Sequence, residues 1–293
     1  MARRPRPLVP TYPDAVEREY ARLLLAYRKE YERLVQLHLP PVMARLRKEV
    51  SVHTPDALAQ EHMDADSAKA INELFEMILG KLEKSFPDTL LKRWAQAMAS
   101  KTAKVSAKNL AAQVKRATKG RKEGPVEILG ILNSEKKLTP YFRNVVDQNV
   151  ALIRSIPEEK IPAFKNSLNT AIMQDMPVRE LSKIIRKHYA ATDSKARLIA
   201  RDQVGKLNGE LDKYHQQVLG LKRYRWRTMK DGAVRGRYPP GRKGPDHWHL
   251  EGTIQTWAKK PIVNTKTGKR CHPKEDIQCR CYAEAVIEDL LDE

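Results

Sequence analysis

Apolar residues in this chain recur with a helical period for some 220 residues and then, after Gly220, with the two-residue period of strands. A helix returns to the same face every three or four residues and a strand every second one, so the switch separates a long helical part from a short sheet-forming part. The predicted fold class is α+β: an extended, mainly α-helical N-terminal region followed by a small mixed C-terminal domain with a short antiparallel sheet.

Within the helical part, Asp14 and Glu17 have capping-box spacing, and Val16, Tyr20, Leu23, Tyr27, Tyr31 and Leu34 follow at helical intervals. This predicts a long amphipathic helix that stops before Pro40-Pro41, with a second short helix from Pro41. Ile71, Leu74, Phe75, Ile78 and Leu82 predict a helix between about 64 and 86, and Leu91, Trp94 and Met98 begin another that runs into a basic segment. Gly120 and Gly124-Pro125 mark a linker. Short helices in series are expected through Phe142–Ile153, Phe164–Met173 and Val178–Ile185. A longer helix capped by Asp193 carries the stripe Ala196, Ala200, Gln203, Leu207, Leu211, Tyr214 and Val218 and ends at Gly220. The expected division is 1–123, a helical region able to dock on a larger assembly; 124–220, a helical segment; and 221–293, the small mixed domain.

Charge narrows the partners. Lys and Arg number 55 against 36 Asp and Glu, a net +19 in 293 residues, while 41% apolar residues suffice for a core and exclude wholesale disorder. No apolar run approaches the roughly 20 residues that cross a bilayer. The basic start, Met1 to Pro7, lacks the apolar stretch of a secretory signal, so use without export is expected. A cationic chain favours a polyanion, because neutralising phosphates releases condensed counterions. Between Lys101 and Glu123 eight cations face one acid, with Lys115, Arg116, Lys119, Arg121 and Lys122 as candidate phosphate contacts. Between Lys222 and Lys243 nine cations face one acid, with Arg223, Arg225, Arg235, Arg237 and Arg242 as candidates. The alternative is a solvated helix face for the first and ordinary surface solubility for the second. Tyr224 and Trp226 alternate with Arg225 and Arg227, which favours burial of both rings over stacking on bases.

All three cysteines, Cys271, Cys279 and Cys281, fall in the last 23 residues, an odd and clustered set unsuited to a disulfide framework. Two thiolates and the imidazole of His247 make a soft, nitrogen-containing set suited to tetrahedral zinc, with Cys271, His249 or His272 as the fourth ligand. The one-residue spacer in Cys279-Arg280-Cys281 is shorter than usual, though in a strand it keeps both thiols on one face. The alternative is two small buried hydrophobes and a hydrogen-bonded histidine. Asp231 and Arg235 read as an ion pair pinning the loop after the strand, with catalysis as the alternative. Arg201, at helical spacing from Arg197, can meet that aspartate, a phosphate or only solvent.

The order of elements is distinctive: an Ala-Arg helix at Ala200-Arg201, Tyr224-Arg-Trp-Arg-Thr228, Asp231-Gly-Ala-Val-Arg235, His247-Trp-His-Leu-Glu-Gly252 and Cys279-Arg-Cys281. Over about residues 137–287 this resembles the phage Mu F-like minor head proteins, the phage head morphogenesis family. Asp231 and Arg235, His247, and Cys279 and Cys281 match that family's elements. Two departures are a longer gap between Arg235 and His247 and, before the cysteines, His272-Pro273-Lys-Glu-Asp-Ile-Gln in place of a short Pro-Gly loop. The resemblance implies a minor head protein, not an enzyme, that joins the procapsid. Its implied partners are the portal protein, capsid or scaffold components and, without sequence preference, packaged double-stranded DNA. The implied location is inside the phage head, and the host bacterial cytoplasm during assembly, with no membrane. Two alternatives stand beside it: a nuclease-like phosphodiester-cleaving enzyme using His247, His249 and Asp231, and a plain nucleic-acid-binding module.

Overall fold

The structure, a computed structural model, describes residues 9–52, 57–117, 135–174, 176–230, 234, 236 and 246–287. Six helices come first: α1 (Asp14–Val52), α2 (Ala57–Ser85), α3 (Asp88–Ala117), α4 (Glu135–Glu158), α5 (Ile161–Met173) and α6 (Val178–Val218). The short strands β1 (Arg223–Arg227), β2 (Ile254–Thr256), β3 (Ile262–Asn264), β4 (Lys269–Arg270) and β5 (Tyr282–Ala285) follow, with a 3₁₀ turn at His247–Leu250. The α+β class expected from the change of period is what the chain adopts. The linker expected around Gly120 and Gly124-Pro125 lies outside the described residues.

Two helix boundaries differ from expectation. Helix α1 runs through Pro40 and Pro41 instead of stopping before them. Each proline removes a bond to the carbonyl four residues back. Gln36, Leu37, Pro40 and Pro41 are all exposed, so water can take up the freed carbonyls, while Leu39, Met43 and Leu46 stay buried at 2–3% exposure and hold the helix in register. The two helices expected on either side of Asp193 are a single one of 41 residues. Asp193 does not cap it; its carboxylate accepts from Arg197 Nε at 2.8 Å and lies 3.5 Å from Arg28 Nη2. The stop at Gly220 is as expected. With φ at +79°, Gly220 donates to Gln217 O at 3.0 Å and Leu221 to Gln216 O at 3.0 Å, the paired bonds of a Schellman cap.

The chain forms two compact units: one of Met1–Arg18, Gln96–Val146 and Arg201–Glu293, the other of Glu19–Ala95 and Asp147–Ala200. The second is helical. Its core joins Tyr20, Leu24, Tyr27, Tyr31, Ile71, Phe75, Ile78 and Leu82 with Ile153, Phe164, Leu168 and Ile172, all nearly solvent-free. Polar tips inside it are paired: Tyr20 Oη donates to Asn149 Oδ1 at 2.8 Å, and Tyr31 Oη meets His188 Nε2 at 2.8 Å. The His188 ring stacks on Phe164 at 4.0 Å and 7°. Burial lowers its pKa from 6.5 to about 4, so the imidazole that meets Tyr31 is neutral.

The other unit holds the strands. β1 lies between β2 and β5, antiparallel to both, with Tyr224 opposite Gln255 and Trp226 opposite Ala283. Tyr224 and Trp226 are fully buried, as their alternation with arginines predicts, in a cluster with Leu250, Trp257, Val263 and the three cysteines. Gln216 of α6 donates to Ala283 O at 3.1 Å and accepts from Trp257 Nε1 at 3.1 Å, which ties the sheet to the helix. A Cβ on Gly209 would lie 2.7 Å from Lys274 Cβ and 2.8 Å from Pro273 O, so the absence of a side chain there lets the loop before Cys279 lie directly on α6.

Gly209→Ala is expected to cost about 1–3 kcal/mol, since a backbone carbonyl must move. Gly80→Ala, on the exposed face of α2 with nothing within 4 Å, is expected to raise stability by up to about 1 kcal/mol. Urea midpoints of the two variants check both signs. Because native His188 refuses a proton that the unfolded chain accepts, stability is expected to fall as pH drops from 6.5 towards 4, by on the order of 3 kcal/mol, and to level off below. Denaturation of His188→Gln over the same range should show a shallower fall.

Candidate metal centre

Three pieces of chain converge beneath β1. The 3₁₀ turn is entered through Asp246, whose carboxylate accepts from His247 N at 3.0 Å and so fixes the start of the turn. The loop from His272 to Cys279 closes on itself through His272 N to Glu275 Oε2 at 2.8 Å and Cys279 N to Asp276 O at 3.0 Å. It is held to α6 by Gln278 N donating to Asp202 Oδ1 at 3.2 Å. Lys274 and Gln278 have φ of +70° and +55°, left-handed values that cost a side-chain-bearing residue about 1–2 kcal/mol each. Cys281 then leads directly into β5.

The result is that one ligand atom each of His247, Cys279 and Cys281 lies within 4.8 Å of the other two. His247 Nδ1 is 3.3 Å from Cys279 Sγ and 3.7 Å from Cys281 Sγ. Their exposures are 1%, 9% and 2%. On the far edge of the ring, His247 Nε2 is 3.4 Å from Asp246 Oδ1 and 3.4 Å from Asp276 Oδ2. Lys274 N donates to Cys279 Sγ at 3.4 Å. The Lys274 ammonium, itself buried, reaches Asp212 Oδ2 at 3.3 Å, and Asp212 Oδ1 accepts from Ser106 Oγ at 2.7 Å.

The thiols share charge unequally. A hydrogen bond from Cys281 holds Cys279 well below the usual thiol range against the opposing effect of burial, and His247 and the Lys274 amide add to this. The same bond, with burial, pushes Cys281 far up. Burial opposes charge on His247, yet Cys279, Asp246 and Asp276 together raise its pKa. The Trp226 ring stands edge-on to His247 at 5.7 Å and 88°, and its indole N–H opposes the rise of the Cys281 thiol.

This set can hold a metal ion. Two sulfurs and an imidazole nitrogen converge, the nitrogen facing the sulfurs is Nδ1, and the other ring nitrogen points at carboxylates that would orient the ring, the usual surroundings of a metal-bound histidine. A thiolate, an imidazole and a carboxylate also compose a cysteine nucleophile. That reading leaves Cys281, which shares the proton of Cys279, without a role and needs a substrate to reach a thiol nine-tenths buried. Metal ligation uses all three donors.

The other expected ligands sit elsewhere. Cys271 is in the same apolar cluster but outside the group of three, and burial pushes its thiol up to about 12. His272 Nδ1 meets Tyr224 Oη at 3.0 Å, and burial lowers its pKa to about 4. Both ring nitrogens of His249 face carbonyls, Nδ1 that of Asp246 and Nε2 that of Ile262 at 3.0 Å. Asp231, Arg235, Arg237, Arg242, Lys119, Arg121 and Lys122 lie outside the described residues. Of the remaining candidate phosphate contacts, Lys115, Arg116 and Arg223 are exposed. Arg225 is half-buried and turned to Glu284 at 3.8 Å and to Gly252 O at 3.3 Å. Arg201 is exposed and paired with Glu17 at 3.4 Å.

Sequence reasoning missed Asp276, Asp246 and Lys274, whose only signal is their nearness in sequence to ligands. It also left Glu251 as a mere motif letter. One carboxylate oxygen of Glu251 accepts from Thr228 N at 2.6 Å and Thr228 Oγ1 at 2.8 Å, and the other lies 3.4 Å from Arg227 Nη1. Arg227 Nε in turn donates to Glu284 Oε2 at 2.6 Å, so the turn after the histidine is pinned to both β1 and β5. Glu251→Ala leaves a buried threonine unpaired and is expected to cost about 2–3 kcal/mol in chemical denaturation, with Glu251→Gln intermediate.

An uncharacterized protein of Haemophilus influenzae (strain ATCC 51907 / DSM 11121 / KW20 / Rd) is 25% identical to this chain over 266 residues, 90% of the chain and 53% of that protein. The chain therefore spans about half the length of this relative. No solved structure matches. Residues 163–284 match the family described as Phage Mu protein F like protein, a stretch that takes in α6, the sheet and all three donors of the cluster. The segment that builds the candidate metal centre is thus the part of the chain similar to phage Mu protein F like proteins.

Proposed function

We propose that this chain is a phage minor head protein that acts in head morphogenesis, joins the procapsid through the portal protein and capsid or scaffold components, and resides in the virion. The observation that carries the reading is the coincidence of the family match over 163–284 with a compact module in which His247, Cys279 and Cys281 meet. In this reading zinc occupies those three donors and clamps the turn of His247 to the loop of the cysteines, a structural role in a module with few strands. Among the described residues no helix is long and apolar enough to cross a membrane.

Packaged double-stranded DNA is the polyanion that the net charge of +19 favours. Helix α3 offers the better face for it than the strands. Lys101, Lys104, Lys108 and Lys115 are exposed at helical spacing over about 21 Å, and no acid follows Asp88 in that helix. On β1, Arg225 and Arg227 are half-buried and taken up by Glu284 and Glu251.

Mass spectrometry of purified virions and procapsids, with capture by the portal protein, tests the assembly role; absence from both particles overturns it. Purified chain is expected to contain about one zinc. Its DNA affinity is expected to fall with salt at a log–log slope of about −4, and Lys104→Ala with Lys108→Ala should make that slope shallower by about 2. Metal-dependent cleavage of DNA or RNA that vanishes with His247→Ala would instead favour the nuclease.

A further inference from the structure

We infer that residues 9–12, the extended segment ahead of α1, are a detachable strap that closes the Cys279 side of the thiol loop. Access to this sulfur is then governed from outside the stretch similar to phage Mu protein F like proteins. The inference goes beyond the assembly role and holds whether or not a metal occupies the cluster.

Two neighbouring residues of the strap make its contacts. Asn109 of α3, itself buried, turns its amide to Thr11: Thr11 N donates to Asn109 Oδ1 at 3.0 Å, and Asn109 Nδ2 donates to Thr11 O at 2.8 Å. Pro10 lacks an N–H and Pro13 favours extended geometry in Tyr12, so the segment does not wind into α1. Tyr12 then lies against α6 and the loop together. Its hydroxyl donates to Arg201 O at 3.4 Å and sits 3.6 Å from where a Cβ on Gly205 would be. On the loop side, Lys274 Nζ stands 5.9 Å from the centre of the Tyr12 ring, and Lys274 N is the group that donates to Cys279 Sγ.

The strap covers a narrow recess between α6 and the loop. Tyr12 and Cys279 both line it, Cys271 and Cys281 do not, and its free space of about 10 Å³ has room for a single water-sized group. Apart from these contacts the strap is loosely held: Val9 is 59% exposed, Thr11 is exposed and Tyr12 is only half-buried. A segment fixed by a few hydrogen bonds and one ring buries little apolar surface, so it opens at low free energy while the core stays folded. Whatever draws the start of the chain away from Asn109 therefore uncovers Cys279 and leaves the other two thiols buried.

Alkylation of the full chain by N-ethylmaleimide with EDTA present, followed by mass spectrometry of each cysteine peptide, reads the opening. The reagent is too large for the closed recess, so the initial rate at Cys279 tracks the open population. Asn109→Ala, which removes both bonds to Thr11, is expected to raise that rate about ten-fold, with Cys271 and Cys281 unchanged. Thr11→Pro removes one of the two bonds and should raise it several-fold; Tyr12→Ala should raise it as well. Thr11→Pro alters only an exposed residue, so it decides the matter even if Asn109→Ala fails to fold. A Cys279 rate unaltered by Thr11→Pro and Tyr12→Ala overturns the strap, as does equal acceleration of all three thiols. A chain that binds no zinc removes the metal reading above and leaves these rates to decide the strap.

Discussion

Burying two sulfurs and an imidazole against one another constrains everything else in the strand-bearing unit. Such a cluster is tolerable only if its charge is shared or neutralised, and the surrounding chain is arranged to do that. The Lys274 amide and the Cys281 thiol both lean on the Cys279 sulfur, and carboxylates stand behind the imidazole. Holding Lys274 there requires a left-handed backbone and a glycine on α6 to lie against. The local strain is offset by contacts that reach as far as Ser106 through Asp212.

Charge counted along a window of sequence overstates what a surface offers. The arginine-rich strand looks like a cationic ribbon, yet two of its guanidinium groups face carboxylates from the neighbouring turn and strand, so that part of the ribbon is internal wiring. The helix that carries Lys104 and Lys108 has no acid after Asp88, and both of these lysines are exposed. The same distinction separates buried aromatic rings from rings available for stacking: Tyr224 and Trp226 belong to the first kind.

Much was legible wherever one residue's chemistry sufficed. Gly220 ends a helix because only its left-handed geometry lets both cap bonds form, and the alternation around Trp226 announces a strand with one dry face. The grouping of His247 with Cys279 and Cys281 was legible from donor chemistry together with the family resemblance. What was not legible depends on partners distant in sequence. Pro40 and Pro41 are strong stop signals, but burial of Leu39 and Met43 on the opposite face outweighs two hydrogen bonds lost on an exposed face. Asp193 has the chemistry of a cap and is instead a mid-helix acid with two arginine partners. Neither His249 nor His272 could be distinguished from a ligand by spacing, because what decides their roles is which carbonyl or hydroxyl happens to face the ring.

The makeup of the two units has a consequence for how the chain matures on the ribosome. The helical unit is complete once residue 200 has emerged, whereas the other needs residues near the start, a stretch in the middle and everything from Arg201 onward. Its early segments can meet the middle stretch through Thr11 and Asn109, but gain their remaining partners only after Arg201 and the residues beyond it have been made. Contacts across nearly two hundred residues are expected to make this unit the later of the two to form.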